Sequence, residues 1–483
     1  MENMMITMHG EAHPQEYESG LEIQNSDDYL LDDDGKPRRR GTVWTASAHI
    51  ITTVIGSGIL SLAWAMAQLG WAGGLGTMLA FAVITFYSSD LLAACYRSPI
   101  TGKRNYTYME AVKNNLGGKM QKACGLFQYM ILSGATIGYT ITASICMAAI
   151  QRSNCFHKKG HDADCTATHN TFMVGMGIVE IILSQIPNFS RLSMLSTVAA
   201  LMSFLYSFIG FGLGLAKVIS GQTKRTSFTG IDVGPGYSAS DKSWAILTAV
   251  GNIAFSYSYS PVLINIQDTL KPSPTEKTVM RKANLIALSS ATIFYIMCGC
   301  FGYAAFGDDA PGNLLTGFGF YEPFWLVDLA NIFIVIHLVG AYQVLAQPVF
   351  GAIETWSTKK WPKSNFVMKE YSIGRGHIAF TVNFLRLTWR TTFVVLATIL
   401  AMMMPFFNDA LAFVGALGYW PLTVLFPIEM FIANRKIAKW SSIWLGLEVL
   451  NIFCLCVSLG GVCGAIHGIS EGLSNYELFK AKA

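Results

Sequence analysis

Val54-Ile55-Gly56-Ser57-Gly58-Ile59-Leu60 interrupts the first of about eleven long apolar stretches. Ala254-Phe255-Ser256-Tyr257-Ser258-Tyr259-Ser260-Pro261 interrupts the sixth. A run of about 20 apolar residues spans a bilayer as a helix. Gly-Ser-Gly, or a Ser/Tyr run ending in proline, is poor helix chemistry. Lipid tolerates unwound backbone only where protein or a water-filled cavity satisfies its polar groups. Two interrupted spans, first and sixth, therefore point to a midplane binding site of the secondary-transporter kind.

The remaining spans are expected near 71–96, 121–150, 171–187, 192–216, 283–306, 323–353, 386–405, 408–429 and 442–468, with the interrupted ones near 44–69 and 244–267. The chain has 483 residues, 52% hydrophobic and only 13% charged, with a mean hydropathy of +0.40. Soluble domains carry roughly 25% charge. The reading is an all-α integral membrane protein with one transmembrane domain over 41–470. Residues 1–40 are polar, running through Asp32-Asp33-Asp34 into Arg38-Arg39-Arg40, and read as a disordered cytosolic tail. Residues 471–483 form a short C-terminal tail.

Most of the 34 Lys and Arg residues fall on one side if the N-terminus is cytosolic, which places the C-terminus outside. Lys480 and Lys482 are the exceptions in that tail. The net charge of +4 then reflects topology and gives no argument for nucleic acid. The lipid bilayer is the partner that composition implies. Two sequons, Asn105-Tyr106-Thr107 and Asn188-Phe189-Ser190, fall on the cytosolic side and read as chance matches. Most of the ten cysteines sit inside spans. Cys155 and Cys165 instead lie in an outward-facing polar loop, where an oxidising compartment favours a disulfide over free thiols. A metal site with His157, His161 and His169 is the rival, but the loop defines no tetrahedral set.

At the first break, amides around Ile55, Gly56, Ser57 and Gly58 lose helical partners and suit a carboxylate. The alternative is a Gly-Ser kink packed on a neighbouring helix. At the second, Phe255, Ser256, Tyr257, Ser258 and Tyr259 offer hydroxyls, aromatic walls and carbonyls for an ammonium and a side chain. Asp90, Asp268, Asp409 and Glu429 lie near span ends, whereas Glu180, Asp328 and Glu448 lie deeper. Charge in lipid costs roughly 2.5–3.5 kcal/mol even on insertion scales. His49, two turns before Gly56, and His337, well inside the eighth span, are each either a carrier of a coupling proton or a hydrogen-bonded packing residue.

The segments Gly41-Thr42-Val43-Trp44-Thr45-Ala46-Ser47-Ala48-His49 and Gly56-Ser57-Gly58-Ile59-Leu60-Ser61-Leu62-Ala63-Trp64 closely resemble plant general amino acid permeases of the amino acid/auxin permease family. So do Ser256-Tyr257-Ser258-Tyr259-Ser260, Ile336-His337-Leu338-Val339-Gly340-Ala341-Tyr342 and Gly415-Ala416-Leu417-Gly418-Tyr419-Trp420-Pro421. The resemblance runs from residue 31 to about 468. It implies a proton-coupled importer of free amino acids at the plasma membrane, with no cofactor beyond the coupling proton. The implied fold is LeuT-like: two inverted five-helix repeats with an eleventh helix outside them. His49 and His337 match histidines of the family and take a coupling or gating role on that likeness. Tyr139 and Asn331 are candidate pocket-wall residues. Asn252 stands where the resemblance leads one to expect an acid, and Pro261 where a larger apolar residue is expected; both bear on entry and selectivity.

A channel would show a continuous polar stripe or charged rings; here the polar breaks are localised. An enzyme would need a convergent catalytic set, and no HExxH appears. The nearest alternatives are a sodium-coupled carrier, with Thr52 and Asn331 as cage members, or an auxin-type carrier.

Overall fold

Helix α1 (Val43–Val54) starts where Thr42 caps the Thr45 amide, and stops where Ile55 leaves helical geometry. Helix α2 (Gly58–Ala94) resumes after Ser57 and breaks again at Gly70, whose φ is +70°. The loop at 227–231 lies across that break. Trp71 and Ala72 donate to Ser227 O and Phe228 O, and Ile231 donates back to Ala67 O. A Cβ on Gly70 would stand 2.3 Å from Gly230 N, so both φ and space demand glycine. The expected first and second spans thus follow each other with Gly70 as the joint.

These are coordinates of a computed structural model, which describes residues 38–98, 101–160, 163–186, 189–318, 323–373, 380–404 and 406–474. The tail expected over 1–40, apart from 38–40, lies outside the described residues, as do Asn188, His161, Lys480 and Lys482.

Further helices follow the expected spans: α3 (Gly118–Lys159), α4 (His169–Ser184) and α5 (Phe189–Ile219). The sixth span divides into α6 (Ala239–Ser256) and α7 (Ser260–Gln267), separated at Tyr257–Tyr259. Pro261 sits in the first turn of α7, where its missing N–H costs no helical bond. Then come α8 (Glu276–Phe306), α9 (Phe324–Lys360) and α10 (Phe384–Met403). The tenth span comprises α11 (Phe407–Gly418), a π-helical turn Tyr419–Leu425, and α12 (Phe426–Arg435); α13 (Ser442–Ser474) ends the described chain. Among the described residues eight helices are long and apolar enough to cross a membrane. The π turn surrounds Pro421, which cannot donate to the ladder.

One departure from a purely helical reading lies between α9 and α10. There β1 (Glu370–Ile373) pairs antiparallel with β2 (Phe380–Asn383), Glu370 opposite Asn383.

Burial is arranged for a lipid solvent. Val83 and Ile182 are 70% and 66% exposed, while Tyr139, Tyr206, Tyr257 and Tyr295 are among the largest fully buried side chains. Apolar side chains face outward, and hydroxyls turn inward to meet backbone that no water reaches.

Candidate functional site

The two breaks meet. A Cβ on Gly58 would lie 2.4 Å from Ser256 Oγ and 3.0 Å from Ser256 Cα, so the α2 start rests directly on the α6 end. No side chain caps α2, and the Ser57 hydroxyl is buried without a partner. Its first amides therefore carry the positive end of the helical segment between Gly58 and the Gly70 joint into the interior.

The carbonyls freed at the end of α1 are taken by hydroxyls from other spans. The Tyr295 hydroxyl of α8 stands between the breaks, 2.5 Å from Val54 O and 2.7 Å from Ser256 O, and its one hydrogen goes to either carbonyl. Tyr206 of α5 bonds Ile55 O at 2.9 Å and Gly56 O at 3.2 Å, and Ser203 bonds Ile55 O at 2.9 Å. Sequence reading missed these three residues. The only signal was a hydroxyl in an otherwise apolar span.

His337 of α9 packs against the first break, fully buried. Its Nδ1 lies 3.0 Å from Ala199 O and 2.8 Å from Ser203 Oγ. A carbonyl only accepts, so Nδ1 carries the hydrogen and Nε2 keeps its lone pair. That Nε2 has no partner and would be 3.5 Å from a Cβ on Gly56, with Tyr139 Oη at 3.1 Å from the same point. Gly56 thus lies between an imidazole and a phenol, at a place where any side chain would fill the gap.

Tyr139, Phe255, Ser258, Tyr259 and Thr53 line a cavity beside the breaks with about 20 Å³ of free space. That admits about one water molecule. Tyr257 points away from it, donating to Thr292 Oγ1 at 3.2 Å.

Other expected site residues lie apart. His49 is half-buried on α1, about 10 Å along the helix from Gly56. Asn331 is fully buried about two turns before His337, donating to Val327 O at 3.0 Å, and Thr52 donates to Ala48 O at 2.9 Å. Asn252 is fully buried one turn before Ser256, whose hydroxyl bonds its carbonyl; neither atom of its own amide has a protein partner. Cys155 and Cys165 are joined as a disulfide, Cα atoms 5.8 Å apart. Asn105 of the first sequon is fully buried and donates to Cys95 O at 2.9 Å.

The two ends of the molecule differ. At the end expected to face the cytosol, Glu276 accepts from Arg39 at 2.8 Å and pairs with Arg97. Asp268 pairs with Tyr96 at 2.6 Å and Arg104 at 3.3 Å. Gly41 and Lys271 exchange backbone bonds with Thr269 O and Gly41 O. At the opposite end a cavity of about 620 Å³ opens between Arg152, His169, Asn313, Asn408 and Asp409.

Interrupted helices meeting at a buried, uncapped helix start, closed at one end and open at the other, define a multi-pass membrane carrier. Residues 39–470 match the family model described as transmembrane amino acid transporter protein. Amino acid permease 6 of Arabidopsis thaliana is 54% identical over 459 residues, spanning 93% of this chain and 95% of its own length. Amino acid permease 3 of the same plant is 53% identical over 455 residues, spanning 94% and 95%. The crystal structure of MhsT in complex with L-phenylalanine aligns with a TM-score of 0.54 at 12% identity, covering 89% of this chain and 100% of that one. That likeness shows a shared fold. The chain belongs to the transmembrane amino acid transporter family, a family of transporters and not of enzymes.

Proposed function

We infer that the protein is a proton-coupled symporter that imports amino acids across the plasma membrane by alternating access. The observation that carries this reading is the meeting of the two breaks, with Tyr139 Oη and His337 Nε2 directed at Gly56. The substrate carboxylate binds the α2 start, at the amides of Ser57 and Gly58. Its ammonium takes carbonyls and hydroxyls of the α6 end, and its side chain meets Phe255 and Ser258. Room for about one water means that binding requires these elements to part.

A proton arriving from outside is accepted at His337 Nε2, where the lone pair stands free. His49 sits on α1, about 10 Å from Gly56 toward the cytosol, and gates release. Closure of the Glu276 and Asp268 clusters marks the state that faces outward; their opening marks the inward one. Coupling requires that proton and substrate together favour the transition more than either alone.

The test is substrate-evoked current in voltage-clamped oocytes, with neutral, acidic and basic amino acids at about pH 5.5 and about pH 7.5. Sodium is replaced by choline in a parallel series. Inward current that grows at acid pH and ignores sodium is the expected result. Current that disappears with sodium would overturn proton coupling.

A further inference from the structure

Glu180 is a carboxylate fully buried inside the helical bundle, four residues before the end of α4, and nothing so far accounts for it. It lies on α4, where Gln343 of α9 donates to one of its oxygens at 2.6 Å. Its other oxygen has no partner, and neither has the side-chain carbonyl oxygen of Gln343. Two unpartnered acceptors on one carboxyl–amide pair are a costly arrangement in a dry interior. One hydrogen removes both faults. A protonated carboxyl brings a donor to this pair, for which the unpartnered Gln343 carbonyl oxygen is an acceptor, while it still accepts from the Gln343 amide.

The surroundings leave the charged form unsupported. On α9 the ionisable neighbour is the Tyr342 phenol, itself buried. On α10 the nearby cation is Arg390, but its guanidinium is committed elsewhere. It bonds Glu354 at 2.7 and 3.2 Å, Ser184 O at 2.5 Å and Ile186 O at 3.1 Å. From α3 no ionisable side chain interacts with Glu180 among the described residues.

We propose that Glu180 is a proton-binding site of the transport cycle, occupied in this conformation and held by Gln343. It rests on the proton-coupled reading above and names a second station for the proton. Gln343 is six residues beyond His337, about 9 Å along α9 toward the cytosolic end. Beyond it the Ser184 hydroxyl accepts from Gln343 at 3.1 Å, and the Ser184 carbonyl leads to Arg390 and half-buried Glu354. Polar groups therefore run from Glu180 to the cytosolic surface. On opening of that end the carboxyl O–H breaks, its proton passes to water, and the carboxylate stays behind until the next proton arrives.

The decisive variant is Glu180→Gln, which preserves a polar staple between α4 and α9 but cannot titrate. Full-length protein in liposomes is given labelled L-alanine, L-glutamate or L-lysine, with and without an inward proton gradient. The variant is expected to exchange labelled for unlabelled substrate within about twofold of the parent. It is expected to lose proton-driven accumulation by about tenfold or more. Infrared difference spectra between acid and alkaline pH should show a protonated-carboxyl band in the parent that is missing in Glu180→Gln. In Glu180→Asp, which keeps a carboxyl, the band should shift and accumulation persist, so a folding defect in the first variant leaves the question answerable.

Unchanged accumulation and pH profile in Glu180→Gln, or an unchanged band, would overturn the proposal and leave Glu180 a structural staple. If the parent shows no proton-driven accumulation, the coupled reading fails; the infrared comparison then decides separately whether Glu180 binds a proton.

Discussion

Gly58 shows how closely one atom governs the site. Its missing Cβ lets α2 rest on Ser256, and Gly58→Ala would place a methyl 2.4 Å from the Ser256 hydroxyl. The two breaks would be forced apart. Uptake is expected to fall about tenfold, equivalent to about 1.4 kcal/mol, with surface expression maintained, as measured by labelled amino acid uptake and surface biotinylation. Tyr295 is the opposite case, a side chain that supplies what the breaks lack. Tyr295→Phe takes the donor from Ser256 O, while Val54 O keeps the Gly56 amide at 2.9 Å. An unsatisfied buried acceptor costs about 1–3 kcal/mol, so thermal unfolding in detergent should occur at lower temperature. Gly58 was legible in the sequence because glycine in an apolar span is conspicuous. Tyr295 was not, since a tyrosine on a distant span carries no mark of the carbonyl it will meet.

The elements follow local chemistry where a single segment decides, and depart from it where two segments must agree. Both interruptions fall inside the glycine- and serine-containing runs that the sequence marks, at 55–57 and 257–259, the second just before Pro261. The π turn at Tyr419–Leu425 and the ribbon of β1 and β2 went unread. The turn is held by partners elsewhere: Tyr108 donates to Leu422 O at 2.6 Å, and Thr85 bonds Tyr419 at 2.9 Å. The Cys155–Cys165 bridge closes a loop with a sequence separation of 10 at the end of α3. Removing it as Cys155→Ser with Cys165→Ser should cost about 2–4 kcal/mol of stability. The melting temperature is expected to drop while the ranking of transported amino acids stays the same, because the loop lies outside the meeting point of the breaks.

Across the whole molecule the asymmetry between ends decides which face is sealed. Glu276, 3% exposed, gathers Arg39 from before α1 and Arg97 from after α2. Glu276→Gln removes the anion and leaves two guanidiniums side by side, which favours separation. A cysteine placed at Ser47, buried on α1 above this cluster, should then react several-fold faster with a membrane-impermeant thiol reagent applied from the cytosolic side. Unchanged labelling would mean that closure depends on Asp268 and the Gly41–Thr269 backbone bonds instead.

The apolar character of the spans, their two interruptions and the likeness to amino acid permeases could be read from the chain alone. Each rests on local composition set against a bilayer, and lipid punishes unwound backbone severely enough to make such segments visible. Tertiary packing decided the rest. It chose Ser203, Tyr206 and Tyr295 as partners for the freed carbonyls, turned His337 but not His49 to the break, and set Gln343 against Glu180. Those pairings join residues separated by more than 100 positions, and hydrogen bonding in a dry interior depends on which groups arrive together.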